Sequence, residues 1–242
     1  MTIFGIRPRL APTLTAVPIV LLCLGLGVWQ VQRLHWKLGL IAAREAGLEA
    51  SPVPPPVSLA AARPLEYHRV AITGTFDNDK EIYLHAISES GRLGYQILTP
   101  LREASGQVVF IDRGFVPTAL RDPARRGAGQ LSGVVHVLGI LRLPPDGRPN
   151  WFLPDNNAKL DHWFWVDLPA MTAATGLPAD RVAPYYLDAD KTPNPGGWPL
   201  GGIALPELPN HHLQYAITWF ALAVAMVVIY VIYHRQPPSG AG

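Results

Sequence analysis

From Leu10 to Gln32 the chain reads LAPTLTAVPIVLLCLGLGVWQVQ, and from Leu208 to His234 it reads LPNHHLQYAITWFALAVAMVVIYVIYH. The first stretch has 23 residues, the second 27, and neither carries a formal charge. A bilayer core about 30 Å thick is crossed by a helix of about 20 apolar residues, so each stretch is long enough to span it. Trp29 and Arg33 stand at the end of the first. Tyr215 and Trp219 open the second, and Tyr230, Tyr233 and Arg235 close it. Trp and Tyr favour the headgroup level, and Lys and Arg mark the ends of spans. The apolar part of the first stretch exceeds the roughly 7–15 residues of a signal h-region, and Trp29-Gln30-Val31-Gln32-Arg33 is too bulky for a peptidase site. It reads as a retained anchor.

Outward from these ends, the charge is crowded into the middle. Only 16% of residues are charged and 49% are apolar, against about 25% charged in an average soluble domain. All 18 acidic residues lie between Glu45 and Glu207. This pattern excludes an ordinary soluble enzyme, a disordered chain and a nucleic-acid binder with a strong basic field. Two spans place both termini on one side and the middle on the other. Arg7, Arg9 and Arg235 flank the outer ends, while Arg33, Lys37, Arg44 and Lys191 lie near the inner ends, so the positive-inside count does not orient the chain. The tails hold basic and no acidic residues, and long domains translocate largely regardless of charge; both favour a translocated middle. Cys23, the only cysteine, lies in the first span, so no disulfide forms within the chain.

The organisation expected is a tail (1–10), a span (11–32), a helical extension (33–50), a Pro-rich linker (51–66), a β-rich domain (67–190), a Gly/Pro-rich connection (191–209), a second span (210–233) and a tail (234–242). Leu34, Leu38, Ile41 and Ala42 recur at helical spacing, which carries the first helix onward. Ser51-Pro52-Val53-Pro54-Pro55-Pro56 ends it, since such a run lacks donors and favours extended geometry. Seven runs read as strands between Gly, Pro, Asp and Asn punctuation: 69–76, 81–87, 94–101, 107–116, 134–143, 164–168 and 181–188. A short helix is expected near Pro169 to Thr175, with Gly176 after its end. The fold class is thus a membrane protein whose two transmembrane helices flank a small antiparallel barrel or sandwich.

Recognisable chemistry is sparse. There is no phosphate loop, no nucleophile elbow and no Cys-x-x-Cys. Gly25-Leu26-Gly27 reads as close helix packing. Asp77, Asp79 and Glu81 alternate near a turn and suit either a metal or, more commonly, a solvated turn. Asp112-Arg113, inside an apolar strand, reads as a structural ion pair. His35, His68, His85, His136 and His162 show no ligand spacing. His211 and His212 differ, because they open the second span. A neutral imidazole ligates haem iron axially, and Tyr215 and Trp219 follow His212 at i+3 and i+7 on one helix face. A polar and aromatic membrane belt explains the same residues.

Several motifs resemble the Surfeit-locus assembly factors of cytochrome c oxidase, the Surf/Shy family. Gly27-Val28-Trp29-Gln30-Val31-Gln32-Arg33-Leu34-His35-Trp36-Lys37 is similar to that family's G-x-W-Q-x-x-R-x-x-W-K. Gly74-Thr75-Phe76-Asp77 with Glu81-Ile82-Tyr83 follows. Asp112-Arg113-Gly114-Phe115-Val116-Pro117 is similar to N-R-G-F-V-P, with Asp where Asn is more usual. Pro154-Asp155-Asn156-Asn157 precedes His162-Trp163 and Asp167-Leu168. Gly196-Gly197-Trp198-Pro199-Leu200-Gly201-Gly202 leads to Asn210-His211-His212-Leu213-Gln214-Tyr215-Ala216-Ile217-Thr218-Trp219, similar to N-x-H-L-x-Y-x-x-T-W.

The resemblance implies a non-enzymatic assembly factor acting in maturation of oxidase subunit I, with haem a as cargo and haem a synthase as a further partner. A membrane scaffold that binds no haem is the alternative. The position carried over is His212, as axial ligand of the haem iron, with Trp219 packing on the macrocycle; His211 is its interfacial neighbour. The resemblance also implies termini inside and domain outside. With about nine residues before the first span, too few for a mitochondrial presequence, the expected address is the bacterial inner membrane with a periplasmic domain. Strand edges and Arg113-Gly114-Phe115 are the expected docking surface for the oxidase subunit.

Overall fold

The computed structural model describes residues 9–88, 90–202 and 209–235. The chain divides into a helical unit, residues 1–43 and 207–242, and a β unit, residues 44–206.

In the helical unit, α1 (Leu10–Glu49) is one uninterrupted helix of 40 residues, and α4 (His212–His234) has 23. Both are long and apolar enough to cross a membrane, and most of that apolar surface is left uncovered by protein. Such a surface is tolerated in lipid and not in water; the chain is a membrane protein. Covered positions repeat every seven residues, at Ala16, Cys23 and Gln30 on α1 and at Ala216 and Ala223 on α4. That repeat makes a seam between two helices. Small side chains bring the backbones close: a Cβ on Gly27 would collide with the Phe220 ring. The pairing is antiparallel. Gln30 meets His212 at one end, while at the other Thr13 Oγ1 lies 2.7 Å from the Tyr230 hydroxyl. The tail segments 1–8 and 236–242 lie outside the described residues.

The β unit has six strands: β1 (Arg69–Phe76), β2 (Ile82–Ile87), β3 (Leu93–Arg102), β4 (Val108–Pro117), β5 (Val134–Arg142) and β6 (Val182–Ala189). Five of them close a ring, β1-β5-β6-β4-β3 and back to β1, and β2 extends the sheet from β3. The closing link is short, Thr75 opposite Arg102 and Phe76 opposite Leu101. β4 and β6 run parallel and the other pairs antiparallel. This is a small Greek-key barrel.

Two cores explain the strand patterns. β1 alternates strictly, and Val70, Ile72 and Phe76 point into the barrel with Ile111, Leu141, Tyr185 and Leu187. β4 is covered on both sides, with Val109 and Ile111 inside the barrel. Val108 and Phe110 instead lie under Trp163, Leu168 and Met171. Hence β4 reads as a continuous apolar run. α3 (Leu168–Thr175) supplies much of that second core. Asp167 caps it by accepting from the Ala170 amide, and Gly176 ends it at φ 64°.

Three expectations change. Residues 164–168 are not a seventh strand. The Asn156 side chain satisfies their backbone, accepting from the Phe164 amide at 2.8 Å and donating to the Trp165 carbonyl at 3.0 Å, and Leu168 already belongs to α3. The Pro-rich stretch is pinned to the barrel: Val53 exchanges backbone bonds with β1, and Leu59–Ala62 forms the one-turn helix α2, whose Ala62 enters the barrel core. The described part of the Gly/Pro-rich connection, 191–202, is likewise held, and 203–208 lie outside the described residues. Phe115 and Leu200 exchange both backbone bonds at 2.9 Å, beside Gly114 at φ 108°. A Cβ on Gly114 would fall on the Leu200 carbonyl. Gly114→Ala is therefore expected to break this clasp. It should lower the melting temperature by several degrees and expose residues 191–202 to limited proteolysis, whereas a cleavage pattern identical to wild type would contradict the clasp.

Candidate functional site

In the helical unit, His212 is the first residue of α4 and half buried. Its Nδ1 lies 2.7 Å from Oε1 of Gln30, a buried residue of α1. An amide oxygen only accepts, so Nδ1 is the donor, and in the neutral ring the lone pair is then on Nε2. Nε2 has no hydrogen bond to any described residue. A second partner on one ring nitrogen fixes both tautomer and ring direction for a ligand on the other, the arrangement found behind metal-bound histidines. The residues present thus fit an axial ligand for an iron tetrapyrrole. Trp219 lies two turns further along α4 and is also half buried, whereas Tyr215 is 53% exposed on the flank of the helix and His211 is exposed outside its first turn. Gln30 is a functional candidate that stands in the Trp-Gln-x-x-Arg motif with nothing local to assign it a role. Its signal was a polar residue at the seven-residue seam spacing.

The β unit holds a second concentration of polar groups, built around Glu81. Its carboxylate side chain is 1% exposed and takes two bonds from Arg126. It also accepts from Gln130 at 3.0 Å and from the Tyr83 hydroxyl at 3.0 Å, and Arg113 lies at 3.9 Å. Glu81 is therefore not part of a solvated turn. Asp77 pairs with Arg102, Asp79 is exposed, and among the described residues no group of three or more acidic, His or Cys side chains is set to hold a metal. Burial lowers the Arg113 guanidinium to about 10. Burial, then the Glu81 charge, raises the Tyr83 phenol.

Arg113 also donates to the Gly129 carbonyl and to Asn194 at 3.3 Å, and it stacks on the Phe76 ring. It thereby ties β4 to the connection 191–202. Arg113 and Phe115 are buried, so Arg113-Gly114-Phe115 is not an exposed docking surface. Nor does Arg113 pair with Asp112. Neighbours on a strand face opposite ways, and Asp112 lies beside Asp188 of β6, which binds Arg142 at 2.9 Å. Burial, then the Asp188 charge, pushes the Asp112 carboxyl up to about 8.

The described SURF1 family matches residues 17–224, a span that includes both Gln30 and His212. Surfeit locus protein 1 of Homo sapiens is 37% identical over 217 residues, 83% of this chain and 70% of that protein. The protein of the same name in Mus musculus is 38% identical over 216 residues, 83% and 68%. A SURF1-like protein of Monosiga brevicollis is 36% identical over 243 residues, 95% of this chain and 89% of that one.

Proposed function

Because the chain belongs to the SURF1 family, we propose that it is a membrane-held assembly factor for cytochrome c oxidase. In this reading it binds haem a during maturation of subunit I, His212 is the axial ligand, and haem a synthase is a neighbour in the handover. The observation that carries the reading is the 2.7 Å contact of His212 Nδ1 with Gln30, which orients the ring and reserves Nε2 for a ligand.

Haem, when bound, would supply an iron that takes a nitrogen ligand. His212 would hold it through a single reversible bond. Gln30 holds the imidazole in the right tautomer, and Trp219 offers an aromatic surface further along α4. Gly27 keeps the two helices close enough for Gln30 to reach across. A haem a carrier needs a site open to the bilayer and a hold weak enough to release, and one histidine with no covalent link suits both. The inner membrane of a bacterium, with the β unit in the periplasm, is the proposed address. No catalytic step is assigned.

The test is the absorption spectrum of the detergent-purified chain made alongside haem a synthesis. Wild type is expected to show a Soret band, His212→Ala to lose it, and Gln30→Leu to bind about 10-fold more weakly. An unchanged spectrum in His212→Ala would remove His212 as the ligand. A wild type without the band, whose co-purification with subunit I survives His212→Ala, would instead establish the haem-free scaffold.

A further inference from the structure

We propose that Arg33 and Lys37 of α1 form an oxyanion subsite next to His212, which takes the propionate carboxylates of the bound haem. The inference rests on the haem reading above and extends it from the iron to the acidic edge of the macrocycle.

The first observation is a charge imbalance. Residues 9–43 and 209–235 contain no Asp or Glu at all. Their formal cations are Arg9, Arg33, Lys37 and Arg235. Arg9 and Arg235 lie at the Tyr230–Tyr233 end of the helix pair, and Arg33 and Lys37 at the His212 end. Neither Arg33 nor Lys37 forms an ion pair with any described residue. Among the described residues of this unit, no carboxylate balances them.

The second is position. Arg33 follows Gln30 by three residues, about 4.5 Å along the helix axis and adjacent to it on the helix surface. Gln30 in turn holds His212. Lys37 is the next seven-residue step of the seam that runs through Ala16, Cys23 and Gln30. Since α4 begins at His212, level with Gln30, that seam position lies beyond the end of α4. Among the described residues, a cation thus stands where the helix-facing stripe has no partner helix.

The third is preparation. The Arg33 guanidinium lies 3.9 Å over the Trp36 ring, itself 52% exposed. Stacking on Trp restrains the long side chain and covers one face of the guanidinium, while the N–H edges stay open to a carboxylate, which they bind bidentately. The Trp-Gln-x-x-Arg-x-x-Trp-Lys spacing is then one device. Gln30 orients the iron ligand, and Arg33, Trp36 and Lys37 read the charged rim.

The same cations also suit a lipid phosphate, and one titration separates the two sources. Ferric protoporphyrin IX haem and its dimethyl ester are titrated into the full chain in neutral detergent and followed by the Soret band. Wild type is expected to prefer the free acid by about 10-fold or more. Arg33→Gln and Lys37→Gln are expected to weaken binding of the acid, leave the ester unchanged and so erase the preference. His212→Ala is expected to weaken acid and ester alike. A wild type that binds neither compound overturns the haem reading and this one together. A wild type that binds both, with the preference intact in the two Gln variants, overturns only the subsite. If those variants instead lose binding to anionic phosphatidylglycerol vesicles, the cations serve lipid phosphate.

Discussion

Glu81→Leu is expected to lower the melting temperature of the detergent-solubilised protein by about 10 °C or more, the largest stability loss of any single change considered. Glu81, Arg113 and Arg126 have side chains 1–2% exposed, so one carboxylate offsets two buried guanidiniums. Removing one partner of a buried pair costs about 3–5 kcal/mol, because the surviving charge stays desolvated. In a domain of this size each 1 kcal/mol moves the midpoint by roughly 2–4 °C. The loss is set by the orphaned cation, so taking away Arg126 as well should relieve it. Glu81→Leu/Arg126→Leu is expected to recover part of the fall, with Arg113 still buried and charged. Thermal circular dichroism checks both. A shift below 2 °C for Glu81→Leu, or a double variant worse than the single, would show that the cluster does not carry the fold.

Asp112→Asn is expected to stabilise the protein in alkaline buffer and to flatten its response to pH. In the folded chain the Asp112 carboxyl is raised to about 8 by burial and by the neighbouring Asp188, from an ordinary 3.8. Between those values the folded state holds a proton that the unfolded state has released. Stability therefore falls as pH rises through that window, with a slope approaching about 1.4 kcal/mol per pH unit. The stabilisation is complete below the unfolded value and gone above the folded one. Protonated Asp112 still accepts from the Gly114 amide at 2.9 Å, and so would asparagine, the residue more usual at this place in the motif that the chain resembles. The variant should match wild type near pH 4 and exceed it by several °C at pH 9. Melting curves for the two proteins that stay parallel across this range would refute the buried proton.

Both predictions concern residues whose surroundings the sequence did not disclose. Glu81 looked like one of three alternating carboxylates at a turn, and its real partner Arg126 is 45 positions away. Asp112 looked paired with Arg113, its neighbour in the chain. Strand geometry separates the two, and the barrel gives each a different partner. The strands themselves were legible, because an alternating run such as 69–76 already states which face is buried. The exception, 164–168, shows the limit. Val166 and Leu168 are buried, yet a side-chain amide from Asn156 replaces the ladder that a strand would need. At the candidate site His212 was legible as the histidine at the mouth of a span, and its motif marked it further. Gln30 was not, since nothing local says which residue of α1 an imidazole 182 positions away will meet.

Local patterns alone determined the two spanning helices, the β-rich middle, the capped helix α3 and the chain's likeness to a family. Each is written in hydrophobic period, capping residues and motif spacing over a few turns or one strand. Tertiary structure decided the closure of the ring, the burial of Glu81 beneath two arginines and the contact that turns the His212 ring. Apolar side chains need only a covered face, which periodicity announces. A buried polar atom needs one particular partner at hydrogen-bond distance, and which atom arrives there is settled only when distant segments fold back on each other.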